Sequence, residues 1–333
     1  MTYSKMTILF LIIFVSGCAT DSRRPEALLY PGTIERRCGP ESGVEQTGLR
    51  MSWVKKSSQG KSDFGIADWP AGRFSLQSRD IADTIGAKDL LAQMAAPDAQ
   101  AYPTMPDSAI RFLLLRQQLS DRILLALLDV KSAAAEANCE EKRADQLADQ
   151  LQEIREARAR RLTIFGVLGG GLVGILSGGL AAVDPSSMAG GLAAIAAGVV
   201  ASAFGAAALF DEPRYDFQHD RNLLQEVWEG PDEPSLFPLS VWRFLNRPLR
   251  DDPAQRSLRE TLIARWHQDG RLGKAGSDTE RRRMALFFGR GGSYVIEDLR
   301  ARAAMMDLLE AEVDLMSHDL ERLMQNTLSL GTP

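Results

Sequence analysis

The residue types in this 333-residue chain that could do chemistry are three histidines, three cysteines and a few glycine- and arginine-rich runs. His219, His267 and His318 stand far apart. They lack metal-ligand spacing, and no nucleophile elbow accompanies them. Gly169-Gly170-Gly171-Leu172-Val173-Gly174 fits the pattern G-x-G-x-x-G. A dinucleotide unit also needs a strand before it and an acidic residue about twenty residues on, whereas a wholly apolar stretch follows here. Gly273-Lys274-Ala275-Gly276-Ser277 lacks the order of a phosphate loop, and Arg281-Arg282-Arg283 reads as a solvated helix face. No catalytic residue, cofactor site, metal site or small-molecule substrate is expected from these runs. The net charge of −5 gives no support to nucleic-acid binding.

The cysteines say more. Cys38 and Cys139 would pair in an oxidising compartment, although spacing alone does not bring their Cα atoms within bridging distance. Near the start, Lys5 precedes an apolar run from Met6 to Val15, and Val15-Ser16-Gly17-Cys18 follows. A basic start, a short apolar stretch and small residues before a cleavage point make a secretory signal, too short to span a bilayer. Its ending resembles the lipobox of bacterial lipoproteins. The resemblance covers about the first twenty residues. It implies that residues 1–17 are removed and that Cys18 is lipidated as the first mature residue. The expected location is the bacterial cell envelope, lipid-anchored and facing the periplasm, with Ala19 favouring the outer membrane over the inner.

From Leu162 to Phe210 only one side chain, Asp184, is charged. Gly166, Gly170, Gly174 and Gly178 recur at every fourth position, as do Gly190, Ala194, Gly198 and Ser202 beyond Asp184-Pro185. On a helix each set lies on one face and leaves a groove that admits another backbone. Each arm has about 22 apolar residues, enough for a hydrocarbon core of about 30 Å. The expectation is a glycine-zipper helical hairpin in contact with membrane lipid. The alternative is a glycine-rich tip buried by neighbouring subunits.

These features need elements to carry them. Residues 18–105 read as a tether and loop-rich segment, with short strands at 48–55 and 73–77 and a helix from Ile81 to Met94. Residues 106–161 form a long helix with a heptad seam: Leu119, Ile123, Ala126, Val130, Ala133, Ala137, Ala144, Leu147, Leu151 and Ile154, interrupted by Glu140. It runs straight on into the hairpin, 162–210. Residues 211–292 make a small helical subdomain, with helical patches at 217–228, 258–266 and 281–288 and aromatic anchors such as Phe237, Trp242 and Trp266. A last heptad helix, 293–328, is capped by Ser293. Its seam is Val295, Leu299, Met306, Leu309, Val313, Met316, Leu320 and Leu323, interrupted by Arg302.

The fold class is therefore mainly α, with long coiled-coil-like helices, a glycine-zipper hairpin and a helical subdomain. The two seams are expected to bury each other; the alternative is that both serve oligomerisation. Functionally the chain reads as a structural or assembly component of an envelope complex, partnered by further copies of itself or by other envelope proteins. A helical pore-forming protein is the alternative.

Overall fold

The computed structural model describes residues 38–39, 74–95, 106–183, 212–250 and 252–329, with the backbone alone described over 165–183. Among these the chain is mainly helical, with eight helices and two short strands. In order they are α1 (Leu76–Thr84), α2 (Lys88–Ala95), α3 (Pro106–Val183), β1 (Tyr215–Gln218), α4 (Leu223–Glu229), α5 (Leu239–Asn246), α6 (Leu258–Gln268), α7 (Asp278–Phe287), β2 (Gly291–Tyr294) and α8 (Ile296–Ser329). The described residues of 36–149 and 216–329 form one compact unit; those of 150–215 group separately.

Local chemistry sets most boundaries. The Ser75 hydroxyl accepts from the Ser78 N–H and starts α1, so the described part of the expected strand at 73–77, residues 74–77, is a helix entry rather than a strand. The helix expected over 81–94 is two helices, because the chain turns at Ile85-Gly86 with Gly86 at φ 67°. The patch 217–228 divides likewise: β1 ends at Gln218, and the Asn222 side chain caps α4. A reciprocal Ser257–Glu260 capping box begins α6, and Ser277 caps α7. Ser293 lies within β2 rather than at a helix cap, and α8 begins three residues later. Gly291 is required where the two strands meet. Its φ is 95°, and a Cβ there would collide with the Phe217 carbonyl oxygen. The strand expected at 48–55 lies outside the described residues.

The core of the larger unit is organised around α8. Its buried residues run from Ile296 to Thr327 and include every member of the expected seam from Leu299 onward. Polar ties join it to its neighbours: Arg247 of the α5 C-cap to Asp319 at 2.6 Å, Arg265 of α6 to Glu312 at 3.1 Å, and Asn326 to Ser78 of α1 at 2.7 Å. The α3 seam is buried along its whole length from Leu119 to Ile154. Lys131 pairs with Asp314 at 3.0 Å, Asn138 donates to Glu310 at 2.8 Å, and Asp149 lies 3.9 Å from Arg300. As numbers rise on α3 they fall on α8, so the two helices run antiparallel, and both seams are buried within one chain.

Two expectations are corrected or left coarser. Among the described residues no helix is long and apolar enough to cross a membrane, which corrects the expectation of transmembrane helices. The described side chains of α3 end at Ile164, and their last stretch carries Glu153, Arg155, Glu156, Arg158, Arg160 and Arg161, too charged for hydrocarbon. Gly166, Gly170, Gly174 and Gly178 sit in the helical backbone of α3, while Gly190, Ala194, Gly198 and Ser202 lie outside the described residues. Neither a glycine zipper nor coiled-coil geometry is shown; a mainly helical chain with one long helix is. The leader and Cys18 also lie outside the described residues, so the structure lends them no support.

Cys38 and Cys139 are joined by a disulfide with a Cα–Cα distance of 5.4 Å, and the linkage closes a loop of 101 residues. Gly39, next to the bridge, packs directly on the Arg221 guanidinium. A cross-link over so long a loop restricts the unfolded chain and stabilises the fold by about 2–4 kcal/mol. Replacing Cys139 with serine should lower the unfolding free energy measured in urea by that amount, and reducing agent should then have no further effect on the variant.

Candidate functional site

The densest polar chemistry among the described residues lies where the two seams are interrupted. Glu140 falls where α3 lacks an apolar seam residue, and Arg302 does so on α8; their side chains meet, with Arg302 Nη2 3.7 Å from Glu140 Oε2. Arg302 has no exposed surface and Glu140 is nearly as buried. Arg143, one turn along α3, reaches the same carboxylate at 3.5 Å. Two guanidinium groups therefore share one carboxylate. The arrangement is cationic and largely withdrawn from water, which strengthens every charge interaction inside it.

The β-ribbon completes the enclosure. Phe217 of β1 presents its ring to both cations, 4.7 Å from Arg143 and 5.9 Å from Arg302. His219 meets Phe217 edge-on at 4.8 Å and lies 2.8 Å from Tyr294 Oη through its Nε2. The Tyr294 hydroxyl donates to the Leu286 carbonyl at 2.9 Å. That leaves His219 Nε2–H to donate to the tyrosine oxygen, so Nδ1 is a shielded acceptor with no hydrogen-bond partner among the described residues. Asn222 donates to the Phe287 and Gly289 carbonyls, each at 2.8 Å, which fastens the β1–α4 turn to the end of α7.

Titration follows from this enclosure. Burial first, then the positive charges of Arg302 and Arg143, pull His219 down to about 2, so it is neutral at any physiological pH. Burial raises the Tyr294 phenol above its ordinary value. Burial likewise lowers Arg302, against the pull of Tyr294 and Glu140 in the other direction. A neutral imidazole and an un-ionised phenol beside two cations can donate, accept and fill space. Among the described residues the side chains that His219 meets are Phe217 and Tyr294, and neither is a nucleophile of the serine or cysteine kind.

Just beyond lies a second buried charge. Asp298, in the first turn of α8, has no exposed surface, and its Oδ1 accepts from Arg282 at 2.9 Å and Arg283 at 3.0 Å. An anion at this end of a helix also meets the positive end of its dipole. The arginine run expected to be a solvated face is thus divided: Arg281 pairs outward with Asp278, while Arg282 and Arg283 clamp α8. Sequence spacing missed this clamp because the carboxylate that needs it lies on another helix.

The chain matches no protein-family model, no curated protein and no solved structure.

The remaining residues singled out from the sequence are dispersed. His267 lies 4.0 Å from Glu280, and His318 is exposed on α8. Residues 169–174 are inside α3, without the strand-to-helix turn that a dinucleotide site uses. Among the described residues no group of histidine, cysteine and carboxylate side chains is placed to hold a metal. Glu226 is a buried acid that sequence reading also missed. It accepts from the backbone of Leu236 at 2.9 Å and Phe237 at 3.0 Å, and from the Ser235 hydroxyl at 2.8 Å, and so pins the loop after α4.

Two tests follow. Removing Glu140 leaves the buried Arg302 guanidinium beside the half-buried Arg143 with no carboxylate between them, whereas removing Arg302 leaves Glu140 still paired with Arg143. Glu140→Leu should therefore destabilise by about 3–5 kcal/mol and Arg302→Met by clearly less; equal losses in urea would refute the shared-carboxylate reading. For His219 the folded value lies below the unfolded one of about 6.5, so the unfolded chain takes up the proton first as pH falls. Its contribution is whole above pH 6.5 and declines below it, by up to about 1.4 kcal/mol per pH unit. The stability gap between wild type and His219→Gln should shrink between pH 7.5 and pH 5.

Proposed function

We propose that this chain is a non-enzymatic structural component of the bacterial cell envelope, lipid-anchored at Cys18, whose folded body is an assembly element. The observation that carries the reading is the Cys38–Cys139 disulfide, which ties a point close to the N-terminus to the middle of α3. Such a bond persists in oxidising compartments and is rare in a reducing cytosol. It agrees with the export signal ending at Cys18. The densest buried polar groups support the rest of the reading. They are spent on joining helices: Arg302 and Glu140 join α8 to α3, Arg283 and Asp298 join α7 to α8, and Glu226 holds the loop before α5. A titratable pair poised near neutral pH, which acid–base catalysis calls for, is not what His219 and Tyr294 supply.

The test is fractionation of cells combined with thiol trapping. The chain should travel with the envelope, and Cys38 and Cys139 should resist alkylation until reductant is added. Cys18→Ser should move it into the soluble fraction with the disulfide intact. A cytoplasmic chain with two free thiols would overturn the proposal.

A further inference from the structure

On the side of α3 opposite its buried seam, Ile110, Leu113, Leu114, Leu124, Leu125 and Leu128 are each 52–58% exposed. At about 100° per residue they all fall within about 60° of one line along the helix. Together they make a patch on the order of 500 Å², at the upper end of what a monomer leaves bare. Two polar residues, Gln117 and Asp121, interrupt it at its middle and are hydrogen-bonded to each other at 2.8 Å.

The order of residues along this stripe is symmetric about position 119. Ile110 and Leu128 are equidistant from it, as are Leu113 and Leu125, Leu114 and Leu124, and Gln117 and Asp121. The outermost such pair is Asp107 and Lys131, opposite in charge. A two-fold axis brings residue i of one chain against residue j of the other, and j against i. We infer that a second copy of this chain covers the stripe, with the two α3 helices crossing antiparallel about a dyad beside residue 119. Leucines then meet leucines on both sides, and each Asp121 faces the partner's Gln117. Each Asp107 faces the partner's Lys131, which is more than half exposed beside its own Asp314.

Other arrangements fit less well. Parallel pairing sets Asp121 against Asp121, and a shift by one heptad buries Gln117 and Asp121 against leucine; a central polar pair fixes register in this way. A bilayer surface favours an unbroken apolar face with basic flanks, and here Asp121 sits in the middle. Two patches of this size bury roughly 1,000 Å², the lower bound for a specific interface. The inference goes beyond the structural role proposed above and does not depend on the envelope location.

Sedimentation velocity of the purified full chain tests it. Wild type should be dimeric at about 100 µM, and Leu114→Glu with Leu124→Glu should weaken association by at least about a hundredfold, because each change enters the dimer twice. Both positions are exposed, so the variant should keep the wild-type circular dichroism and melting. Chains carrying Leu114→Cys, mixed with chains carrying Leu124→Cys, should cross-link to each other far faster than either does alone. Four results would overturn the inference: a monomeric wild type, a dimer that survives the double substitution, preferential 114-to-114 cross-links, or a stripe that serves only to bind anionic phospholipid vesicles.

Discussion

A guanidinium group without access to water constrains everything packed around it. Arg302 meets its surroundings at 3.5–3.7 Å: Glu140 from α3, Asn222 from the α4 cap and the Phe287 carbonyl from the end of α7. No single short bond holds it. Its charge is instead matched by one carboxylate, one aromatic face and several dipoles, supplied by elements far apart in sequence. Buried pairs of this kind add little net stability, because desolvation offsets most of the attraction. What they impose is position. Sliding either helix by a turn would press Arg302 against the alanines of the α3 seam and leave Glu140 facing methionine or leucine of α8. The two interruptions in otherwise apolar seams thus act as one register mark.

The β-ribbon makes sense in the same terms. Two four-residue strands contribute little stability as a sheet, yet they deliver Phe217, His219 and Tyr294 to the arginine from the side that α3 and α8 leave open. Gly291 lets the strands approach closely enough to do so. His219 must be neutral here, since a third cation beside Arg143 and Arg302 would have no anion to meet. The imidazole therefore acts as a polar wedge, tied to Tyr294 at one nitrogen.

How far this was legible in the sequence follows from the range of the forces involved. The seams of α3 and α8 were readable because burial at a period near 3.5 repeats over many residues, and the breaks at Glu140 and Arg302 were readable as breaks. Their pairing was not, because nothing local says which distant charge answers another. Arg282 and Arg283 were misjudged for that reason, as their partner Asp298 sits on a different helix. The ribbon was missed because Gly291-Gly292-Ser293 has neither alternation nor branched side chains; its strand character comes from pairing with β1. Gly86 was underweighted as a helix stop, and a single residue with positive φ was enough to make two helices from one.

The middle of α3 remains to be accounted for physically. Between Ala126 and Ala148 the seam is mostly alanine, and a buried alanine removes far less apolar surface from water than a leucine. Hydrophobic burial alone would fix this stretch weakly. Yet it is where the specific ties gather: Glu136 pairs with Arg221 at 2.7 Å, Asn138 donates to Glu310, Cys139 is bridged to Cys38, and Glu140 meets Arg143 and Arg302. Small side chains leave room for the long arginines and for Phe217 to reach the helix. The same smallness makes directional and covalent restraints necessary there. Toward the N-terminal end, larger apolar residues such as Phe112, Leu115, Leu119 and Ile123 take over the packing. Position along α3 is thus held by charge and sulfur where volume is scarce, and by volume where it is not.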